Sequence, residues 1–215
     1  MTYFQQPINY TLVTGAGATL PIALTDVKLW LKIPTTLTAD DTLITALVKS
    51  AAGYFEKITG RDLINKTYKT YLDRFPCSSD IAFYSGVTNL IPKYNDNGIK
   101  LRKSKLQSIT SIQYYIDSVL TTLDASDYYI TDLPDYSAIY LVKDKTFPVV
   151  DCRKQSVAIV FVAGYGIDDT FVPEDVKQAL MQMITYLYEN RGDCANSADM
   201  DAAMQLFSQF KIVDF

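Results

Sequence analysis

The sequence predicts an α+β chain, with helices near both ends and an antiparallel, β-rich middle. Three observations carry that expectation. Apolar residues recur at steps of three and four over 39–59 and again over 173–191. Between them lie short β-branched and aromatic runs separated by turn signals. One of these, Val157-Ala158-Ile159-Val160-Phe161-Val162, is apolar throughout, the pattern of a central strand.

Residues 1–24 read as an extended arm broken by Pro7, Gly15, Gly17 and Pro21. A short helix is predicted over 25–33, with Thr25 as N-cap, Val27, Trp30 and Leu31 at helical spacing, and Pro34 as its stop. A second helix is predicted over 39–59, with Thr38 as cap and Asp41 as a capping-box acid. Its stripe is Ile44, Leu47, Val48, Ala51, Phe55 and Ile58, and Gly60 offers a left-handed C-cap. The β-rich stretch runs from about 66 to 162, with strands predicted around 67–72, 99–102, 109–116, 128–130, 138–142 and 157–162. Asn95-Asp96-Asn97-Gly98 marks a long exposed loop within 77–98. A third helix is predicted over 173–191, with Pro173 at its first position, Glu174 and Asp175 in its first turn, and Arg191-Gly192 at its close. Its stripe is Val176, Ala179, Leu180, Met183, Ile184 and Leu187. The tail, 192–215, begins as a helix and ends in Phe207, Phe210, Ile212, Val213 and Phe215.

Composition narrows the function. With 215 residues, 48% of them hydrophobic and 20% charged, the chain can bury a core. No apolar run reaches the roughly 18 residues of a membrane span, and the first residues lack the basic start and apolar stretch of a secretion signal. A protein made and used in a cytoplasm is the expectation. The net charge of −4 does not advertise a nucleic-acid face. Histidine is absent, which removes the commonest general base and metal ligand. Cys77, Cys152 and Cys194 are odd in number and far apart, as reduced thiols are. The 16 tyrosines suit either a tyrosine-rich sheet or a protein–protein surface.

Gly15-Ala16-Gly17 looks like the start of a dinucleotide-binding turn, but Leu20 stands where the third glycine is needed and Pro21 follows. Gly164-Tyr165-Gly166 also lacks a third glycine and reads as a sharp turn out of the sheet. The pairs Asp40/Asp41 and Asp168/Asp169 read as solvated or helix-dipole acids, since neighbouring side chains point apart. Arg61 and Arg191 each follow a helix C-terminus, where the dipole favours them; an intersubunit salt bridge is the functional alternative. An apolar tail must be covered, either by its own domain or by a partner.

Several segments together resemble a known family, the head–tail connectors (adaptor ring proteins) of tailed bacteriophages. They are Leu24-Thr25-Asp26-Val27-Lys28-Leu29-Trp30-Leu31, Asp40 to Val48, Tyr54-Phe55-Glu56-Lys57-Ile58-Thr59-Gly60-Arg61 and Asp73-Arg74-Phe75-Pro76. Ser108 to Tyr115, Val160 to Gly166, Val172-Pro173-Glu174 and Tyr188-Glu189-Asn190-Arg191 continue them in the family's order, over about 24–191. The arm, the 77–98 stretch and the tail depart from the pattern.

The resemblance implies a helical bundle built from N- and C-terminal helices with an inserted antiparallel β-rich layer, the connector domain falling in 25–191. It implies a structural subunit without catalysis or cofactor, in a ring that is usually dodecameric. That ring is assembled in the host cytoplasm and sits in the virion neck, between the portal protein and a downstream stopper or tail component. DNA passes through its lumen without sequence-specific binding, and no membrane is involved. Within that picture Phe207, Phe210, Ile212 and Phe215 are expected as portal-docking anchors, and Arg61 and Arg191 as intersubunit residues. The competing readings are another neck protein (a stopper or tail terminator), a small-ligand enzyme, and a nucleic-acid module using Lys100, Arg102, Lys103 and Lys105.

Overall fold

The computed structural model describes residues 9–76, 98–103, 105–133, 136–191 and 197–212. Its helices are α1 (Leu24–Trp30), α2 (Asp41–Thr59), α3 (Glu174–Glu189) and α4 (Ser197–Ser208). Its strands are β1 (Tyr10–Thr14), β2 (Lys66–Leu72), β3 (Ile99–Leu101), β4 (Leu106–Ile116), β5 (Val119–Thr122), β6 (Tyr128–Asp132), β7 (Ser137–Leu141) and β8 (Val157–Ala163). The α+β expectation holds: helices from both chain ends form one layer, and the strands, all but β1 lying between α2 and α3 in the chain, form two antiparallel sheets.

The helical layer buries the stripes read from the sequence. Ile44, Val48, Ala51 and Phe55 of α2 meet Val176, Ala179, Leu180, Met183 and Ile184 of α3, with Phe207 of α4 and Val27 of α1 completing the core. The helix ends differ from expectation in detail. α1 starts one residue early, with Ala23 rather than Thr25 at the cap, and no side chain bonds there. It stops before Pro34, in a Schellman turn: Ile33 N donates to Lys28 O (2.8 Å), Lys32 N donates to Leu29 O (3.1 Å), and Lys32 takes φ 58°. α2 has Asp40, not Thr38, at its cap, with no capping box, and Pro173 stands at the cap of α3 rather than inside it. Gly60 closes α2 in the left-handed region as predicted, at φ 75°.

The larger sheet has the order β1-β2-β8-β4-β5, so the apolar run at Val157–Ala163 is indeed central. The smaller sheet, β3-β7-β6, contributes Ile99, Leu101 and Ile139 to the same core as Ile112, Ile159 and Phe161 of the larger one. Two strands were not foreseen. β1 lies within the predicted arm and pairs with β2, and Ile22 beyond it is fully buried, so residues 10–22 of the arm are part of the fold. β5 pairs with β4 through a two-residue loop, Asp117 (φ 50°) and Ser118 (φ 65°), as in a type I′ hairpin. The Asp151 carboxylate accepts from both loop amides, Asp117 N at 2.9 Å and Ser118 N at 2.8 Å. β4 carries this hairpin about 33 Å from the strand's helix-proximal end, at roughly 3.3 Å per residue.

The Gly164-Tyr165-Gly166 turn joins the two layers. Gly164 sits at φ +145°, and a Cβ there would lie 2.7 Å from Asn65 N and 2.8 Å from Ile64 C. At Gly166 an added Cβ would meet Phe171 Cβ at 2.2 Å. Close approach of the Ile64–Asn65 backbone demands glycine at 164 and the Phe171 side chain demands it at 166, and no phosphate-binding role is needed to explain either.

Candidate functional site

The most elaborate polar arrangement lies where helix meets sheet. Asp62 is buried just past the α2 C-cap. Its Oδ1 accepts from Tyr68 Oη (2.7 Å) and Lys66 Nζ (3.1 Å), and its Oδ2 stands 3.2 Å from Lys103 Nζ. Lys66 also bonds the Glu56 carboxylate, whose Oε1 accepts from Leu63 N at 3.1 Å. Lys103 lies over the Tyr68 ring, 4.7 Å from its centroid. Burial pulls the Lys66 ammonium down, but its hydrogen bond to Glu56 and the charge of Asp62 outweigh it, so its pKa is raised. Burial, followed by the neighbouring Asp62 charge, pushes the Tyr68 phenol well above its usual range. Every member has an opposite-charge or hydrogen-bonding partner, so the cluster works as a clamp between layers.

A second clamp holds α1 to α2. Lys28 falls on the apolar stripe of α1 and is almost wholly buried. Its Nζ reaches Asp41 Oδ1 at 2.6 Å and donates to the carbonyls of Leu37 (2.6 Å) and Thr35 (3.2 Å). The Tyr188 hydroxyl donates to Asp40 Oδ2 at 2.8 Å, tying the start of α2 to the end of α3. The adjacent acids Asp40 and Asp41 therefore point to different partners. Asp168 likewise accepts from Thr170 N (3.0 Å) in a short 3-10 turn. Among the described residues no group of three or more acids and cysteines stands together to hold a metal ion. No helix among them is long and apolar enough to cross a membrane.

The tail residues expected as exposed anchors sit elsewhere. Phe207 is fully buried and Ile212 nearly so, while Phe210 packs at the edge of the helical core. Ile212 N donates to Thr59 O at 2.9 Å, and Arg61 Nε donates to Phe210 O at 2.6 Å. In the single chain these three apolar side chains pack on their own domain. The physical reason is that the α2–α3 pair leaves an apolar trough which α4 fills. Phe215 lies outside the described residues. Arg61 thus fastens the tail, and Arg191 stacks over the Tyr188 ring at 4.2 Å from its centroid.

Of the basic quartet, Arg102 and Lys105 are exposed. Lys103 is committed to Asp62, Lys100 lies over the Tyr136 ring at 5.0 Å, and Arg102 N donates to Tyr10 Oη at 2.8 Å. Cys152 is exposed with a free thiol; Cys77 and Cys194, like most of the predicted 77–98 loop, lie outside the described residues. Lys28 could have been found from its place on the stripe between Val27 and Leu31, but Asp62 carries no periodic signal. A shallow cleft between α1 and α3 is lined by Asp26, Leu29, Trp30, Lys32, Glu174, Lys177 and Met181.

The arrangement defines a two-layer α+β module whose polar side chains are spent on joining its layers. Chains of gene transfer agent (GTA) particles share this fold. One is from the neck of an empty GTA particle computed with C6 symmetry, at 18% identity, TM-score 0.71 and 97% coverage of both chains. A second, with the same values, is from the virion of a native GTA particle. A third is from the neck of a native GTA particle computed with C12 symmetry, at 18% identity, 97% coverage of both chains and TM-score 0.66. At this identity the likeness is one of fold, over nearly the whole of each chain, and it agrees with the connector resemblance at that level. No protein-family model matches the chain, and no curated protein matches its sequence.

Proposed function

We propose that this chain is a structural subunit of a phage head–tail connector ring, which docks on the portal protein and links capsid to tail around a channel for DNA. The supporting observation is the end-to-end likeness, 97% of both chains, to neck chains of phage-like GTA particles. Because chain ends fold together as one helical layer, the adaptor reading is favoured over a stopper or tail terminator. A ring of twelve copies accords with the twelvefold symmetry under which one of those necks was computed. The place of action is the virion neck, and the chain acts without catalysis or cofactor. A conduit that must release DNA is best lined neutral to acidic, in keeping with the net charge of −4.

Portal docking by the 192–215 tail belongs to the same proposal. To serve as anchors, Phe207 would have to leave the core it occupies, and Phe210 and Ile212 the surfaces they pack on. Arg61 and Arg191 remain proposed intersubunit residues, at one end of α2 and of α3. The test is the mass distribution of the protein alone and mixed with its portal, with negative-stain images of large species. Rings, alone or with portal, support the proposal. A persistent monomer that ignores the portal but binds isolated tails points to the other end of the neck, and one that binds neither removes the neck role.

A further inference from the structure

We propose that neighbouring copies of this chain join through the outer face of α2 on one copy and the outer face of α3 on the next. This rests on the ring reading above. A closed ring repeats one heterologous contact, so each subunit needs two different and complementary flanks. The helical layer offers such a pair. α1 is tied to both central helices, through Lys28–Asp41 and through Trp30 Nε1 donating to Thr185 Oγ1 at 2.8 Å. α4 also packs on both, so among the described residues the faces left open are the outer sides of α2 and α3.

Those faces carry opposite charge. The exposed residues of α2 include Lys49, Ser50, Gly53, Tyr54 and Lys57, with no exposed acid. The exposed residues of α3 are Glu174, which pairs with Lys177 of its own helix at 2.8 Å, and Asp175, Gln178, Gln182 and Glu189, with no exposed base. Each stripe is about 22 Å long at 1.5 Å per residue. Gly53 has open space beside it, so a neighbouring helix can come close.

The heights also match. Tyr188–Asp40 places the end of α3 beside the start of α2, so the two helices run antiparallel. At the other end Tyr165 lies within the fields of both Arg61 and Asp175. Rotation about a ring axis along the helices preserves height. It brings Lys57 and Tyr54 of one copy level with Glu174 and Asp175 of the next, and Lys49 level with Gln178 and Gln182. One helix pair covers less than the roughly 800 Å² per partner of a standard interface. Two free copies therefore associate weakly, and salt weakens them further.

The test is zero-length carbodiimide cross-linking of a mixture of isotopically light and heavy full-length protein, at rising concentration. The expected result is mixed-isotope links from Lys57 to Glu174 or Asp175. Sedimentation of the variant Lys49→Glu, Lys57→Glu should show association weakened about tenfold or more, with Glu174→Lys, Asp175→Lys in the same chain restoring it. Links between copies confined to other faces would overturn this interface and leave the ring. Absence of links between copies at every concentration, with and without portal, would overturn both.

Discussion

Phe55 and Phe207 meet edge to face, their ring centroids 5.2 Å apart and their planes at 82°. Both are fully buried, and Phe210 approaches the same Phe55 ring at 5.8 Å. The contact makes α4 a working part of the helical core. Phe207→Ala should therefore lower the unfolding free energy by about 3–5 kcal/mol, the range for an aromatic-to-alanine change in a packed core. Chemical denaturation measures it. A loss under about 1 kcal/mol would mean that α4 does not hold this position in solution.

Gly164 tests the junction from the backbone side. Gly164→Ala adds a Cβ against Asn65 N and Ile64 C, which are main-chain atoms and cannot swing aside, at a φ that disfavours L residues. The expected destabilisation is at least about 1–3 kcal/mol. A thermal melt indistinguishable from that of the parent chain would contradict the close approach of β8 to the Ile64–Asn65 segment.

The Asp62 clamp predicts a dependence on alkaline pH. Lys66 and Tyr68 both have folded pKa values raised above their unfolded ones. Their contribution is fully present below the unfolded values, near pH 10, and is lost as pH rises towards the folded ones. Stability should fall from about pH 10 upward. In Tyr68→Phe, which has no proton to lose, that fall should be shallower, although Tyr10, Tyr128 and Tyr165 are shifted the same way and keep part of it. Parallel slopes for the two proteins in denaturation at pH 9–11 would argue against the clamp.

Removing the buried carboxylate is the harsher probe. Asp62→Ala leaves Lys66 and Lys103 facing Tyr68 without their shared counter-charge, and a loss of about 3–5 kcal/mol is expected. Lys154→Ala, whose ion pair with Asp73 is exposed, should change stability by less than about 1 kcal/mol. Comparable losses at the two sites would mean that burial does not distinguish them.

The β4–β5 hairpin offers a local readout. Asp151→Ala removes the acceptor of two loop amides while leaving the core untouched. Amide hydrogen exchange at 117–121 should accelerate by about tenfold, for a loss near 1 kcal/mol. Unchanged exchange there would show that the left-handed residues Asp117 and Ser118 hold the turn by themselves.

The sequence by itself determined the two long helices, the left-handed stop at Gly60 and the central place of Val157–Val162. Each follows from a local rule: apolar spacing sets which face is buried, and glycine tolerates positive φ where a helix must end. The resemblance added the connector fold, which the solved neck chains share. The tertiary structure decided what local rules cannot. β1 and β5 are mostly exposed edge strands without strict alternation, and become strands only because β2 and β4 offer unsatisfied backbone groups. Thr25 and Thr38 cap no helix: a Schellman turn at Lys32 ends α1, and Asp40 and Asp41 are drawn to Tyr188 and Lys28. The tail could have been covered by a partner or by its own chain. The apolar trough between α2 and α3, formed by residues more than a hundred positions apart, is what buries Phe207.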